Sequence, residues 1–194
     1  MSSVSSVTFR CARCGAAYQA PVYSYIDAVA NPALKDCVIT GELFVRECPK
    51  CGCRELIQTP VVYRDAVCLL CLSDRKIAVE GLEGQCARLV GDVGSLIEKV
   101  KIFDAGLDDA AIELCKYVTR SELAKDVSLK FLRTEGADNE IIFTYPEAGQ
   151  MQLLAVGFNV YEDCRAIIGR NPSMQESLRG LARVDAEWVE QFIA

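Results

Sequence analysis

Four cysteines stand in two matched frames, Cys11-Ala-Arg-Cys14-Gly15 and Cys48-Pro-Lys-Cys51-Gly52, with 33 residues between Cys14 and Cys48. A two-residue gap lets both sulfurs of a pair reach one ion while backbone N–H groups of the turn face them. Two such pairs supply the four thiolates of a tetrahedral, all-cysteine zinc ribbon. Gly15 and Gly52 follow the pairs, where a tight turn favours positive φ. Four thiolates around Zn2+ carry a formal double negative charge, which N–H dipoles and the flanking Arg13 and Lys50 can offset. A site closed by four sulfurs has no open position, so its expected role is to hold the fold, not to catalyse.

Other chemistry could use the same residues. Tetrahedral sulfur also suits iron, and the paired frames are those of rubredoxin-type sites, although 33 intervening residues are long for one. Cys48-Pro-Lys-Cys51 alone has the form of a thiol–disulfide oxidoreductase motif. Such a motif opens a helix, whereas here Gly52 follows at once and Pro60 comes soon after. Cys53 lies close enough in sequence to exchange with a ligand. Cys68-Leu-Leu-Cys71 has the right gap but lies in an apolar run, where strand geometry sends the two thiols to opposite faces as buried residues. Cys37, Cys86, Cys115 and Cys164 are isolated.

The chain of 194 residues has 11 Cys and no His. Ser-His-Asp triads, Cys-His pairs, a His base and mixed His/Cys metal sites are therefore excluded. An odd number of cysteines cannot all pair within the chain, and with no secretion signal visible at the start a reducing cytoplasm is expected. The longest apolar run, Ala66 to Leu72, is seven residues, far short of the roughly 20 that a membrane span needs. The formal charge is −6, distributed as +1, −3 and −4 over residues 1–60, 61–126 and 127–194. An acidic surface disfavours phosphate backbones, so a nucleic-acid-binding ribbon is the weaker reading and another protein the expected partner.

The elements that must position these cysteines can be read from periodicity. Tyr18 to Ile26 is a strand, Asn31-Pro32 opens a short helix over Ala33 to Thr40 that Gly41 stops, and Leu43 to Arg46 and Glu55 to Tyr63 are further strands. Val67 to Leu72 and Lys76 to Val79 form a hairpin, Gly81 to Gly84 is a loop, and Leu89-Val90 is a brief strand. Helical spacing places amphipathic helices over Asp92 to Asp104 and from Asp108 towards Asp126, with both Asp residues as N-caps. The capping role also accounts for the loop Val90 to Ser95, which lacks the Lys and third Gly of phosphate-binding loops. Val127 to Arg133, Glu140 to Tyr145 and Met151 to Val156 form an antiparallel meander. Asn159 with Glu162 resembles a capping box for a helix to Gly169, Asn171-Pro172 ends it, and Asp185 caps a final helix carrying Trp188.

The ordered set of segments resembles the bacterial CpXC domain. It comprises Cys-x-x-Cys-Gly, Asn31-Pro32-Ala-Leu-Lys, Gly41-Glu42-Leu43-Phe44, Cys48-Pro-Lys-Cys51 and Pro60-Val-Val-Tyr63-Arg-Asp65. Leu96-Ile-Glu98-Lys99 through Phe103, and Gly106-Leu107 through Leu114, extend it over about residues 8 to 118, with a looser echo near Trp188. The resemblance implies metal binding at Cys11, Cys14, Cys48 and Cys51. It departs from the family's Cys-Pro-x-Cys pattern at Ala12, which stands in place of a proline and removes no ligand.

The sequence thus leads to an α+β protein: a four-cysteine zinc ribbon with a helical insertion over residues 1–60, then strands and helices over 61–194, with a possible further boundary near 126. The expected function is that of a non-enzymatic, zinc-stabilised cytoplasmic module that binds another protein.

Overall fold

The computed structural model describes residues 1–73, 86–123 and 127–193. It is a mixed α+β chain that divides into two compact units, Met1–Ile97 and Glu98–Ala194. The boundary expected near residue 60 lies inside the first unit. The one near 126, the strand over Lys76 to Val79, the loop Gly81 to Gly84 and the helix end at Asp126 lie outside the described residues.

The first unit is built on a sheet with strand order β1-β2-β5-β6-β7. β1 (Ser3–Arg10) and β2 (Ala17–Asp27) form an antiparallel hairpin closed by Arg10 opposite Ala17. β5 (Val61–Arg64) then lies parallel to β2. Parallel neighbours need a long crossover, and residues 28–60 provide it. They carry α1 (Ala33–Ile39), a 3-10 turn (Glu42–Phe44) and a second hairpin of β3 (Val45–Glu47) and β4 (Arg54–Leu56). Gly41, at φ 79°, makes the sharp exit from α1. β6 (Cys68–Leu72) runs antiparallel to β5 and parallel to β7 (Cys86–Val90). All five residues of β6 are buried, so it reads as an unbroken apolar run. Asp65 shapes the β5–β6 turn: its carboxylate accepts the N–H groups of Val67 and Cys68 (both 2.8 Å) and the Tyr63 hydroxyl (3.0 Å).

Two local expectations change here. Glu55 to Tyr63 is two strands in different sheets, because β4 pairs with β3 while β5 pairs with β2 and β6. Leu43-Phe44 belongs to the 3-10 turn, and the strand begins at Val45. β1 has no counterpart in the sequence reading; nearly all its residues are exposed, so it lacks a buried alternating face to announce it.

The division between units falls within α2 (Val93–Asp104), whose N-terminus Asp92 caps through the Ser95 N–H (2.7 Å). The second unit continues with α3 (Asp109–Leu123), capped by Asp108 through the N–H groups of Ala110 and Ala111. β8 (Lys130–Glu135), β9 (Glu140–Glu147) and β10 (Gln150–Val156) form the antiparallel meander, in order β10-β9-β8. α4 (Phe158–Arg170), α5 (Pro172–Ser177), the short β11 (Leu181–Ala182) and α6 (Ala186–Ile193) complete the chain. α4 starts one residue before Asn159, with Gly157 at its cap and no side-chain capping bond, so the capping box is absent. Asn171 ends α4 and at once caps α5, a short helix where the Asn171-Pro172 pair signals only a break. Asp185 caps α6 through the Trp188 N–H (3.0 Å). Ile112, Ile141, Phe143, Tyr161 and Trp188 pack in one apolar core.

Beside that core lies a buried ionic network. Lys116 contacts Glu98 (3.0 Å) and Glu113 (2.8 Å), while Lys99 contacts Asp109 (2.8 Å) and Glu113 (3.5 Å). Glu98 also contacts Lys130 (3.1 Å) and accepts the Phe131 N–H (2.7 Å). Three carboxylates meet three ammonium groups, so the burial leaves no net charge uncompensated. Among the described residues no helix is long and apolar enough to cross a membrane.

Candidate metal centre

Each cysteine pair occupies the loop of a hairpin. Cys11 to Ala16 joins β1 to β2, and Cys48 to Cys53 joins β3 to β4. The two loops are built alike. The Cys11 N–H donates to the Ala16 carbonyl and the Gly15 N–H to the Cys11 carbonyl (both 2.9 Å). The Cys48 N–H donates to the Cys53 carbonyl (2.9 Å) and the Gly52 N–H to the Cys48 carbonyl (2.8 Å). Gly15 at φ 68° and Gly52 at φ 67° take the left-handed conformation that returns each chain to its strand, one that a Cβ would strain. In this shared frame Cys53 sits where the first loop has Ala16, and Pro49 where it has Ala12.

The two loops face each other. The sulfurs of Cys11, Cys14, Cys48 and Cys51 all lie within 4.8 Å of one another. Cys11 and Cys51 approach to 3.6 Å, and Cys14 and Cys48 to 3.7 Å. A tetrahedron with metal–sulfur bonds of about 2.3 Å has edges of about 3.8 Å. The sulfurs therefore already span the edges of a tetrahedral thiolate site and could hold a metal ion. Cys11 and Cys48 are buried, Cys14 and Cys51 half-buried, and all eleven cysteines are free thiols. Tyr18 and Ala20 of β2 pack against the buried pair.

The loop backbone prepares thiolates. The Cys14 N–H, aimed at the Cys11 sulfur, outweighs burial, and with the Arg13 N–H brings that thiol down to about 7. The Cys53 N–H serves Cys51 in the same way, but burial and the three neighbouring sulfurs push Cys51 up to about 12. A cation that binds here must therefore displace the proton held by Cys51.

Glu55 joins this centre without any motif in the sequence to point to it. This β4 residue accepts the N–H of Ala12 (2.8 Å) and so ties the second hairpin to the loop of the first. With Cys11 and Cys53 it forms another group whose ligand atoms lie within 4.8 Å of one another. No local pattern marks it, since the contact spans 43 residues. The remaining cysteines lie elsewhere. Cys68 and Cys71 are fully buried in β6, and burial pushes the Cys71 thiol up. Cys115 and Cys164 are buried in the core of the second unit.

A family model described as CpXC protein matches residues 9–116, more than half of the chain and all four of these cysteines. No curated protein and no solved structure matches.

Proposed function

The chain belongs to the CpXC family, and from that membership we propose that Cys11, Cys14, Cys48 and Cys51 bind one structural Zn2+, and that the protein is a non-enzymatic cytoplasmic module that engages another protein. The observation that carries the metal assignment is the set of four sulfurs from two facing hairpin loops at tetrahedral spacing. Zinc fits because its d10 shell imposes no geometry of its own and four thiolates close its coordination sphere. Iron is accommodated by the same donors and is the alternative ion. A closed sphere leaves no place for a substrate, which supports a structural role.

Two features support a protein partner. The net charge of −6 opposes nucleic acid. β10 is an edge of the three-stranded sheet, with Met151 and Leu153 exposed, the kind of strand to which a partner segment can add.

Elemental analysis of protein from zinc- and iron-supplemented cultures should find about one zinc per chain. Chelation should abolish the β-sheet signal of the first unit in circular dichroism. The fluorescence of the single Trp188, buried in the second unit, should stay unchanged. Cys48→Ser should reproduce the chelated state. Metal-free protein that keeps its full sheet signal would refute the structural role.

A further inference from the structure

We propose a second, weaker cation site beside the first, formed by the sulfurs of Cys11 and Cys53 and the carboxylate of Glu55, in which Cys11 bridges two thiophilic divalent ions. The site rests on the four-sulfur reading, because it shares Cys11 with it.

Three observations support the placement. The Cys11 and Cys53 sulfurs and a Glu55 oxygen lie within 4.8 Å of one another, a separation that one ion can span. Glu55 is held in position from outside the set, since one of its oxygens accepts the Ala12 N–H at 2.8 Å. Its second oxygen has no partner among the described residues. Arg46, opposite Glu55 in the β3–β4 register, turns its Nη1 to the Val45 carbonyl (2.8 Å) and leaves the carboxylate to the site.

The third observation concerns Tyr18, which is 8% exposed and whose hydroxyl has no hydrogen-bond partner among the described residues. A buried hydroxyl without a partner is rare and costs free energy. This one belongs to the same cluster of packed side chains as Cys11, Cys48, Cys51 and Cys53. Two sulfurs and one carboxylate make a three-ligand site with an open fourth position, which Zn2+ fills with water.

Charge favours the arrangement. The first ion with four thiolates retains a double negative charge. A second divalent ion arrives with the Cys53 thiolate, whose proton goes to solvent, and with Glu55. The bridged pair therefore carries the same net charge as the single site. Cys53 occupies the loop position held by Ala16 in the first hairpin, so the second site belongs to one side of the centre only.

The test is a Cd2+ titration of the full chain, read by thiolate-to-metal absorbance and by native mass spectrometry. The wild type is compared with Cys53→Ser and Glu55→Gln. Glutamine keeps an acceptor for the Ala12 N–H, so this variant leaves the first site intact. The expected result is a first ion bound tightly by all three proteins. A second should be bound by the wild type and weakened at least about tenfold in each variant. Saturation of the wild type at one ion would overturn the second site and leave the four-sulfur reading standing. So would a second ion that both variants bind as well as the wild type, since it would then sit on other thiols. A chain that takes no ion overturns both.

Discussion

Restoring the family's proline at position 12 sets two effects of opposite sign against each other. Ala12→Pro suits the loop sterically, because Pro49 occupies the equivalent place in the second loop and neither loop uses that N–H for its own closing bonds. Proline in a compatible conformation narrows the unfolded ensemble and stabilises by about 0.4–1 kcal/mol. The substitution also removes the N–H that Glu55 accepts at 2.8 Å. A hydrogen bond to a charged group contributes about 1.5–3 kcal/mol, with the lower end appropriate to this solvent-facing bond. The net expectation is that Ala12→Pro destabilises the metal-loaded first unit by roughly 1 kcal/mol. In a Glu55→Ala background only the entropic effect remains, and the same substitution should stabilise by about 0.5–1 kcal/mol. Chemical denaturation of the four proteins, followed by circular dichroism at saturating zinc, yields the coupling, expected at about 1.5–2 kcal/mol. If Ala12→Pro stabilises both backgrounds equally, the tie between Glu55 and the first loop contributes nothing, and alanine here is only a looser proline.

Two further predictions concern buried charge. Glu98→Ala should cost about 3–5 kcal/mol, because it leaves Lys116 and Lys130 short of a carboxylate and the Phe131 N–H without an acceptor. Glu98→Gln should cost less, since its amide oxygen still accepts that N–H; urea denaturation followed by Trp188 fluorescence distinguishes them, and equal losses would show that the backbone bond is unimportant. For Asp65, burial raises the carboxyl, but the Cys68 and Val67 N–H groups, the Tyr63 hydroxyl and Lys35 outweigh it and hold the group below the ordinary carboxylate range. A carboxyl depressed on folding adds stability above its unfolded value of about 3.9, and that contribution disappears as pH falls through the folded value. Wild type should therefore be more stable than Asp65→Asn at neutral pH, with the gap narrowing below about pH 4; a gap that stays constant to low pH would contradict the assignment.

Much of this chain is readable residue by residue, because the signals are local. The spacing within each cysteine pair, the glycine after it, and Asp92, Asp108 and Asp185 at helix starts all depend on atoms within a few residues, and the structure places each as expected. The same holds for the meander β8–β9–β10, whose turns and apolar runs lie side by side in sequence. Pairing between distant segments has no such signature. That β2 takes β5 as a parallel neighbour, that Glu55 reaches across 43 residues to Ala12, and that Glu98 gathers Lys116, Lys130 and Phe131 are decided by which surfaces meet. Cys53 shows the division most clearly. Its loop position follows from the repeated cysteine frame, but its company, a carboxylate and a buried phenol beside the four-cysteine cluster, exists only because two hairpins fold face to face.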